Sequence, residues 1–208
     1  MARYGIVAPK VFGVSVGTLR DYKKQLGRDH ALALALWKTG WYEARMLAAF
    51  VDDPDRVTAA QMDRWARDFD NWAICDTVCF HLFDKTPHAW SKITAWQRSP
   101  EEFVRRAAFA LIASIGVHDK AAPDATFRRC FPMIRRAAAD DRNFVKKGVS
   151  WALRVIGNRS LPLHKEAKAL ALELKNSASR SARWIGSDAL RDLSSAATAK
   201  RLARRRLG

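Results

Sequence analysis

The distribution of apolar and polar positions along the chain is that of helices, with little sign of strands. Strict alternation of apolar and polar residues, the pattern of a half-buried strand, is rare, and Ala, Leu, Arg and Lys dominate the sequence. The helical segments are separated by short stretches rich in Gly, Pro, Asp and Ser. The pattern therefore predicts an all-α protein in which helix, short loop and helix follow one another repeatedly.

Capping residues and prolines set the predicted limits of these helices. Asp70 is the expected N-cap of a helix over 71–83. Ser99 is the expected cap of a helix that begins at Pro100 and runs to about Ile115, with a loop over 116–123 after it. The other predicted helices are one that starts near Ser15 and those over 29–38, 41–50, 58–67, 88–98, 124–138, 142–157, 161–175 and 180–193.

Large residues recur at intervals that indicate a repeat. Trp37, Trp72, Arg106 and Trp151 are separated by 35, 34 and 45 residues. A period near ~40 residues with two helices per unit is typical of HEAT-like solenoids. Such a solenoid curves, and its second helices line a concave face. The predicted fold is therefore a superhelical solenoid of HEAT-like helix pairs, in which Trp72, Arg106 and Trp151 converge on one groove.

The net charge narrows the choice of partner. The 208-residue chain has 37 Lys and Arg residues against 21 acidic ones, a formal charge of +16. Such an excess repels itself and is usually tolerated because the partner is negative, which favours DNA, RNA or an anionic membrane surface. A protein that is simply basic is the alternative. The longest apolar run, 31–37, is far shorter than the roughly 20 residues of a membrane span, and the N-terminus lacks the apolar core of a signal peptide.

The cysteines and histidines give no indication of a metal or a cofactor. Cys75, Cys79 and Cys130 cannot all pair within one chain, which favours the reducing cytoplasm. Cys75 and Cys79 lie one helical turn apart, a spacing that indicates core packing, and no second Cys/His pair stands at ligand spacing. The five histidines show neither metal nor triad spacing. We expect no metal site and no cofactor.

One aromatic–acid pair is the first candidate for chemistry. Trp72 and Asp76 are four residues apart, so on a helix their side chains lie on one face, one turn apart. An indole face attracts a cation, and the carboxylate adds a full negative charge. The pair suits a positively charged ligand or a cationic transition state. In a strongly positive chain it predicts a cation site on a surface that binds a polyanion.

A second candidate is the helix that contains Trp151. Lys147, Trp151 and Arg154 share one face by their spacing. Two cations that flank an aromatic ring suit a sugar-phosphate backbone, with a sugar or base against the ring. The alternative is a core tryptophan with charged side chains at its rim. In the Arg105-Arg106 pair, one arginine is expected to face solvent or a groove while the other borders the core.

Together these motifs resemble the AlkD-like DNA alkylation repair glycosylases. The resemblance rests on Trp72-x3-Asp76, on Arg106 within Phe-Val-Arg-Arg-Ala-Ala, and on Phe-Val-Lys-Lys-Gly-Val-Ser-Trp-Ala-Leu-Arg around Trp151. The N-terminal stretch from Tyr4-Gly5 to Leu19-Arg20 is also similar to that family's, and the resemblance extends from about residue 4 to residue 194. It implies a HEAT-like superhelix whose basic concave groove holds duplex DNA, in a monomer of the bacterial cytoplasm that associates with the nucleoid through DNA.

The resemblance also implies an activity and roles for particular residues. The reaction would be hydrolysis of the N-glycosidic bond of alkylated purines that carry a positive charge, such as 3-methyladenine and 7-methylguanine. Asp76 would be the catalytic carboxylate, Trp72 and Trp151 would line the cleft beside the deoxyribose of the lesion, and Arg106 would contact a nearby phosphate. The further residues that we expect to contact DNA are Arg20, Arg105, Lys146, Lys147 and Arg154.

Two alternatives stay open, together with the role of the C-terminus. The chain fits a single glycosylase domain over 1–198 followed by a basic tail over 199–208. The Arg204-Arg205-Arg206 run of that tail would add phosphate contacts or form a disordered solubilising end. The first alternative function is a non-catalytic HEAT-like nucleic-acid-binding protein. The second is a HEAT scaffold for a protein partner, against which the acid within a Trp-rich groove argues.

Overall fold

In the computed structural model, which describes residues 3, 5–6 and 8–206, all regular elements of the described chain are helical, as predicted. Tyr4 of the N-terminal motif, residues 207–208 of the predicted tail and the side chains of 204–206 lie outside the described part. A short 3₁₀ turn covers Phe83–Lys85. The α-helices are α1 Val16–Leu26, α2 His30–Lys38, α3 Tyr42–Val51, α4 Ala59–Arg67, α5 Trp72–His81, α6 Ala89–Trp96, α7 Glu102–His118, α8 Asp124–Arg128, α9 Phe131–Ala137, α10 Asn143–Gly157, α11 Leu161–Lys175, α12 Arg180–Leu193 and α13 Ala196–Arg206.

The cap of α5 differs from the prediction. Asn71, and not Asp70, precedes the first helical residue, and its side-chain oxygen accepts the amide hydrogen of Ile74 at 3.0 Å. Asp70 instead accepts a hydrogen bond from the Asn71 side-chain amide at 2.6 Å. Asp and Asn both cap helices well, so residue type does not decide between them. Asn71 is the N-cap because its extended backbone comes directly before the first turn of the helix. Trp72 is thereby the first residue of α5.

The limits of α7 were also predicted wrongly at both ends. It begins at Glu102, because the Ser99 hydroxyl accepts the amide hydrogen of Glu101 at 3.1 Å and so forms a local turn before the helix. It ends at His118, beyond Ile115, because the predicted break at Gly116 is a site of close packing. A Cβ on Gly116 would stand 2.6 Å from Val155 Cγ1 of α10. Tertiary packing here outweighs the low helix propensity of glycine.

The predicted helix over 124–138 is two helices, α8 and α9. Pro132 lies in the first turn of α9 and has no amide hydrogen to continue a helix from α8. Its ring would also clash with the carbonyl of Arg128, four residues earlier. The chain therefore ends one helix at Arg128 and starts the next at Phe131.

The chain divides into two compact units, Met1–Thr94 and Ala95–Gly208. The core of the first is aromatic: the rings of Trp37 and Trp65 stack in parallel with centroids 4.0 Å apart, and Phe69 meets Trp37 edge-on. In the second unit α7 is buried along most of its length and packs on α10, while α11 packs on α12. None of the helices in the described part of the chain is long and apolar enough to cross a membrane.

The C-terminal segment, predicted as a tail, continues as α13 from Ala196 to Arg206. Leu202 of this helix is buried, and the Thr198 hydroxyl donates to Oδ1 of Asn158, the C-cap residue of α10, at 3.0 Å. The helix is therefore held against the rest of the second unit by an apolar contact and a buried hydrogen bond.

Candidate nucleic-acid interface

In the first unit, α5 presents Trp72 and Asp76 on its accessible side. The apolar positions of the helix face the core, and both Trp72 and Asp76 are partly exposed. One turn separates the two side chains, as the sequence predicts. An indole and a carboxylate thus reach the surface from a helix that is otherwise mostly buried. Its buried residues are Ala73, Ile74, Cys75, Val78 and Cys79.

Burial keeps the thiols of Cys79 and Cys130 protonated. Cys75, Cys79 and Cys130 are all buried, and none of them forms a disulfide within the described part of the chain. Burial raises the pKa of Cys79 well above its usual range, and a hydrogen bond with Cys75 and the charge of Asp76 raise it further. Burial raises the pKa of Cys130 to about 12. Protonated thiols are poor nucleophiles and poor metal ligands. Among the described residues, no group of three or more His, Cys, Asp or Glu residues could hold a metal ion.

In the second unit, α10 carries basic and aromatic residues on its outer face. Lys147 is exposed, and Trp151 and Arg154 are partly exposed, whereas Val149 and Leu153 between them are buried. The structure therefore places Lys147, Trp151 and Arg154 on one accessible face. Trp151 does not belong to the buried core, which was the alternative interpretation of this motif.

The Arg105-Arg106 pair divides between two surroundings. Arg106 is only 5% exposed, and its Nη1 donates to the carbonyl oxygen of Phe144 at 2.7 Å. Arg105 is more accessible, and its Nη1 lies 2.8 Å from Asp140 Oδ2. Arg106 is thus the arginine that borders the core. The phosphate contacts expected of these two residues stay predictions.

Asp140 is the centre of a charged cluster that holds Arg105 in place. Burial works to raise the pKa of Asp140, but hydrogen bonds from Arg142 and the charges of Arg142 and Arg105 outweigh it and lower that pKa. Arg142 Nη2 lies 2.6 Å from the same carboxylate oxygen that binds Arg105. The carboxylate is therefore shared by two arginines, and Arg105 has a structural partner already.

The remaining predicted DNA contacts lie on accessible helix faces. Lys146 is partly exposed on α10, and its Nζ lies 5.2 Å from the ring centroid of Trp184. Arg20 is exposed on α1 in the first unit. Arg154 faces acidic residues of α12, with Nε 3.6 Å from Asp188 Oδ2 and Nη1 4.0 Å from Asp192 Oδ1.

The prediction from sequence missed Trp184, which is 37% exposed on α12. The core-facing positions of α12 include Ala182, Ile185, Ala189 and Leu193, and Trp184 falls outside that stripe. A tryptophan on the polar side of an amphipathic helix was the available signal. With Lys146 over its ring, Trp184 adds an exposed aromatic surface beside α10.

A cavity of about 360 Å³ lies beside Trp151. The sequence did not predict that the residues lining this cavity come together. Its walls come from α7, α10, α12, α13 and the loop after α7, all within the second unit. The basic residues at this cavity come from separate elements of the chain, which is why sequence spacing could not bring them together. The lining residues are Gly116, Val117, Lys120, Trp151, Arg154, Val155, Asn158, Arg159, Asp192 and Arg201.

The predicted site residues thus form two groups in two different units. Trp72, Asp76 and Arg20 belong to the first unit, and the predicted residues of α7 and α10 belong to the second. The convergence of the two groups on one groove stays a prediction.

Helix pairs in series, with aromatic, acidic and basic side chains on accessible helix faces, define a helical-repeat protein. Comparison of the sequence with protein-family models gives a match over residues 1–193, and the chain belongs to the DNA alkylation repair enzyme family. The predicted resemblance is thereby confirmed. A comparison with curated proteins found no match.

Comparison with solved structures supports the fold. One similar structure is described as "a new family of proteins related to the HEAT-like repeat DNA glycosylases with affinity for branched DNA structures". Its TM-score is 0.75 at 20% sequence identity, and the alignment covers 91% of this chain and 86% of that one. The predicted all-α, HEAT-like fold is confirmed.

Proposed function

We propose that this protein is a monofunctional DNA glycosylase of base excision repair, which removes positively charged alkylated purines from duplex DNA. The observation that carries the proposal is the accessible Trp72–Asp76 pair on the otherwise mostly buried helix α5. Membership of the DNA alkylation repair enzyme family supports it. The substrates would be 3-methyladenine and 7-methylguanine.

The chemistry of these lesions needs little more than one carboxylate. In a cationic N-alkylpurine the base is already a good leaving group, so it needs no protonation. The bond between C1′ and the base nitrogen breaks, and its electron pair leaves with the base, which becomes neutral. A water oxygen then bonds to C1′ and loses a proton to the Asp76 carboxylate, from which solvent takes it.

Electrostatic stabilisation of the sugar is the main task of Asp76 in this proposal. As the glycosidic bond breaks, the deoxyribose becomes oxocarbenium-like and positive, as in glycoside hydrolysis. A carboxylate beside it lowers the barrier more in a partly dry cleft than it would in water. Trp72 adds a cation–π attraction of about 0.5–2 kcal/mol, and Trp151 would add the same if the predicted groove brings it to the lesion. Neutral adducts and normal bases lack the built-in leaving group and should be poor substrates.

The outer face of α10 and α12 supplies the binding surface in this proposal. Lys146, Lys147 and Arg154 would contact phosphates, which hold the duplex without reading its sequence. Trp184, with Lys146 over its ring, offers a flat aromatic surface for a sugar or an unpaired base. The overall charge of +16 supports a polyanionic partner.

A non-catalytic DNA-binding protein is the second candidate, and the description of the similar structure favours it. That structure is described as belonging to proteins with affinity for branched DNA structures. Affinity for DNA by itself requires no glycosidic chemistry. Such a protein would use the same basic surface but would not depend on the charge of Asp76.

The deciding experiment measures release of 7-methylguanine from methylated duplex DNA by the wild type, by Asp76→Asn and by Asp55→Asn. Asp55 is an exposed loop acid of the same unit, so its variant makes the same charge change away from α5. We expect release by the wild type and by Asp55→Asn, and a loss of roughly a hundredfold or more in Asp76→Asn, the scale on which single electrostatic groups act in catalysis.

Duplex binding by the same proteins separates the two candidates. Asp76→Asn should bind undamaged duplex at least as tightly as the wild type, because it removes a negative charge near a polyanion. Duplex binding without base release by the wild type would refute the glycosylase and leave the non-catalytic protein. Equal release by Asp76→Asn and the wild type would refute the role of Asp76.

A further inference from the structure

The cavity beside Trp151 collects basic side chains from separate parts of the second unit. Four positive residues line it: Lys120 from the loop after α7, Arg154 and Arg159 from α10 and its end, and Arg201 from α13. Asp192 is the one carboxylate in its lining. A concave site with this excess of positive charge attracts a small anion or an anionic group of a larger molecule.

The carboxylate in the lining is already engaged by the protein. Asp192 Oδ2 accepts a hydrogen bond from Asn158 Nδ2 at 3.0 Å, and its Oδ1 lies 4.0 Å from Arg154 Nη1. The side chain of Asn158 also accepts from Thr198 of α13 at 3.0 Å. The side-chain amide of Asn158, at the C-cap of α10, therefore connects α10 to α12 and α13 in the lining of the cavity. Asp192 is the α12 partner in this connection.

Arg159 and Arg201, two of the four positive residues, differ in their contacts with the rest of the protein. Arg159 donates to the carbonyl oxygens of Gly116 and Asp119 at 2.8 Å each, so it anchors the loop that carries Lys120. Arg201 is exposed, and no ion pair involves it within the described part of the chain. The docked helix α13 therefore brings to the cavity a guanidinium whose donors are available to an outside acceptor.

We propose that this cavity binds a phosphodiester group of the DNA backbone, with Arg201 and Lys120 as direct contacts and Trp151 at its edge. The inference rests on the proposed function only in taking DNA as the partner, and it holds whether or not the protein is catalytic. A guanidinium fork matches the paired oxygens of a phosphate, and an ammonium adds a point charge. The C-terminal helix is on this basis part of the DNA-binding surface.

The test compares Arg201→Ala with Lys200→Ala on a labelled undamaged duplex over a range of KCl concentrations. Both residues are exposed neighbours on α13 and lose the same charge, but only Arg201 lines the cavity. We expect Arg201→Ala to weaken binding roughly three- to tenfold and to lower the slope of log affinity against log salt by about one phosphate. Lys200→Ala should stay close to the wild type in both quantities.

A double variant shows whether one phosphate is shared. If Lys120 and Arg201 contact the same phosphate, the double variant Lys120→Ala/Arg201→Ala should lower the slope of log affinity against log salt by the equivalent of about one phosphate, as Arg201→Ala alone does. Its loss of binding free energy should then be smaller than the sum of the losses of the two single variants. Equal effects of Arg201→Ala and Lys200→Ala would reduce the cavity to general surface charge and overturn the proposal. Unchanged melting temperatures of both single variants are the control for folding.

Two further outcomes keep the inference separate from the glycosylase proposal. If the wild type releases no 7-methylguanine but Arg201→Ala still weakens duplex binding, the phosphate site stands and the catalytic proposal fails. Inorganic phosphate is the probe for a site that serves a free ion. If it stabilises the wild type against heat, and Arg201→Ala loses that stabilisation without losing duplex affinity, the DNA backbone is the wrong ligand.

Discussion

Arg106 is almost fully buried although its side chain carries a permanent charge. Its Nη1 donates to the Phe144 carbonyl near the start of α10, and it packs over Gly148, where an added Cβ would stand 3.4 Å from Arg106 Cγ. A buried charge is tolerated only when its donors find acceptors. Arg106 therefore joins α7 to α10, and any contact with DNA comes in addition to this structural role.

Alanine substitutions should separate Arg106 from Trp151. We expect Arg106→Ala to lower the free energy of unfolding by about 2 kcal/mol, because the Phe144 carbonyl loses its hydrogen bond from the guanidinium and the buried side chain loses its packing. For a chain of this size this corresponds to roughly 4–8 °C in Tm. Trp151→Ala should lower the free energy of unfolding less than Arg106→Ala does, since Trp151 is partly exposed. It should nevertheless reduce the rate of 7-methylguanine release by more than this loss of stability accounts for. Thermal unfolding by circular dichroism and single-turnover base release measure the two effects.

Lys147→Ala is the matched control for this pair, because Lys147 is an exposed residue of the same helix face. It should leave the Tm near that of the wild type. Should Trp151→Ala destabilise the protein as much as Arg106→Ala, with a parallel fall in activity, Trp151 would be a packing residue and its place in the cleft would be wrong.

The sequence predicts single residues well where spacing alone decides their position. Trp72 and Asp76 share a helix face because they are four residues apart, whatever else surrounds them. The cap of α5 was predicted wrongly, because Asp70 and Asn71 are adjacent and equally suitable, and only the backbone conformation selects Asn71. The partners of Arg105 could not be predicted either, since Asp140 is distant in sequence.

The pairing of α11 with α12 shows what decides packing between elements. A Cβ on Gly186 of α12 would lie well inside van der Waals contact distance of the Ala171 carbonyl oxygen and the Lys175 amide nitrogen of α11. The obstructing atoms are backbone, so they cannot move aside as a flexible side chain would. The close approach of these two helices requires glycine at this position.

Gly186→Ala should therefore cost about 3 kcal/mol of stability or more, by forcing the two helices apart. Gly17→Ala provides the opposite case within α1, where the nearest atom to an added Cβ is Ser15 Oγ at 3.5 Å. That substitution should stabilise the protein by about 0.5–1 kcal/mol, because alanine favours a helix. Urea unfolding of the two variants beside the wild type gives the comparison, and a stable, cooperatively folded Gly186→Ala would contradict the packing argument.

The predicted helix limits were correct where sequence signals and packing agree. Ser160 and Ser179 cap α11 and α12, and the observed helices match the predicted 161–175 and 180–193. The limits failed where distant contacts intervene, as at Gly116, whose packing against Val155 extends α7. Periodicity reports which face of a helix is apolar, but the partner that covers this face, and so the exact end of the helix, depends on residues far away in sequence.

At the scale of the whole molecule, the sequence predicts the family and the helical fold. Both can be predicted because their signals, the motifs and the helical periodicity, are distributed along the entire chain. The two site groups are each local to one unit, which is why motif spacing found them. The basic cavity beside Trp151 draws on residues from 116 to 201, and nothing in its sequence spacing marks it. Local chemistry could therefore be predicted, whereas sites assembled from several elements required the structure.

The net charge of +16 leads to a prediction about selectivity between damaged and undamaged DNA. Binding through phosphate contacts releases counterions, so affinity should fall steeply as salt rises, about in proportion to the number of phosphates contacted. A cationic lesion does not change that number. The slopes of log affinity against log salt should therefore be equal for methylated and undamaged duplex, and the ratio of the two affinities should be independent of salt.

Fluorescence anisotropy of Asp76→Asn, which prevents turnover in the proposed mechanism, gives both slopes. Affinity insensitive to salt would exclude phosphate contacts as the basis of binding and would favour the protein-binding scaffold, while a ratio that collapses as salt rises would mean that the lesion is recognised by its net charge alone.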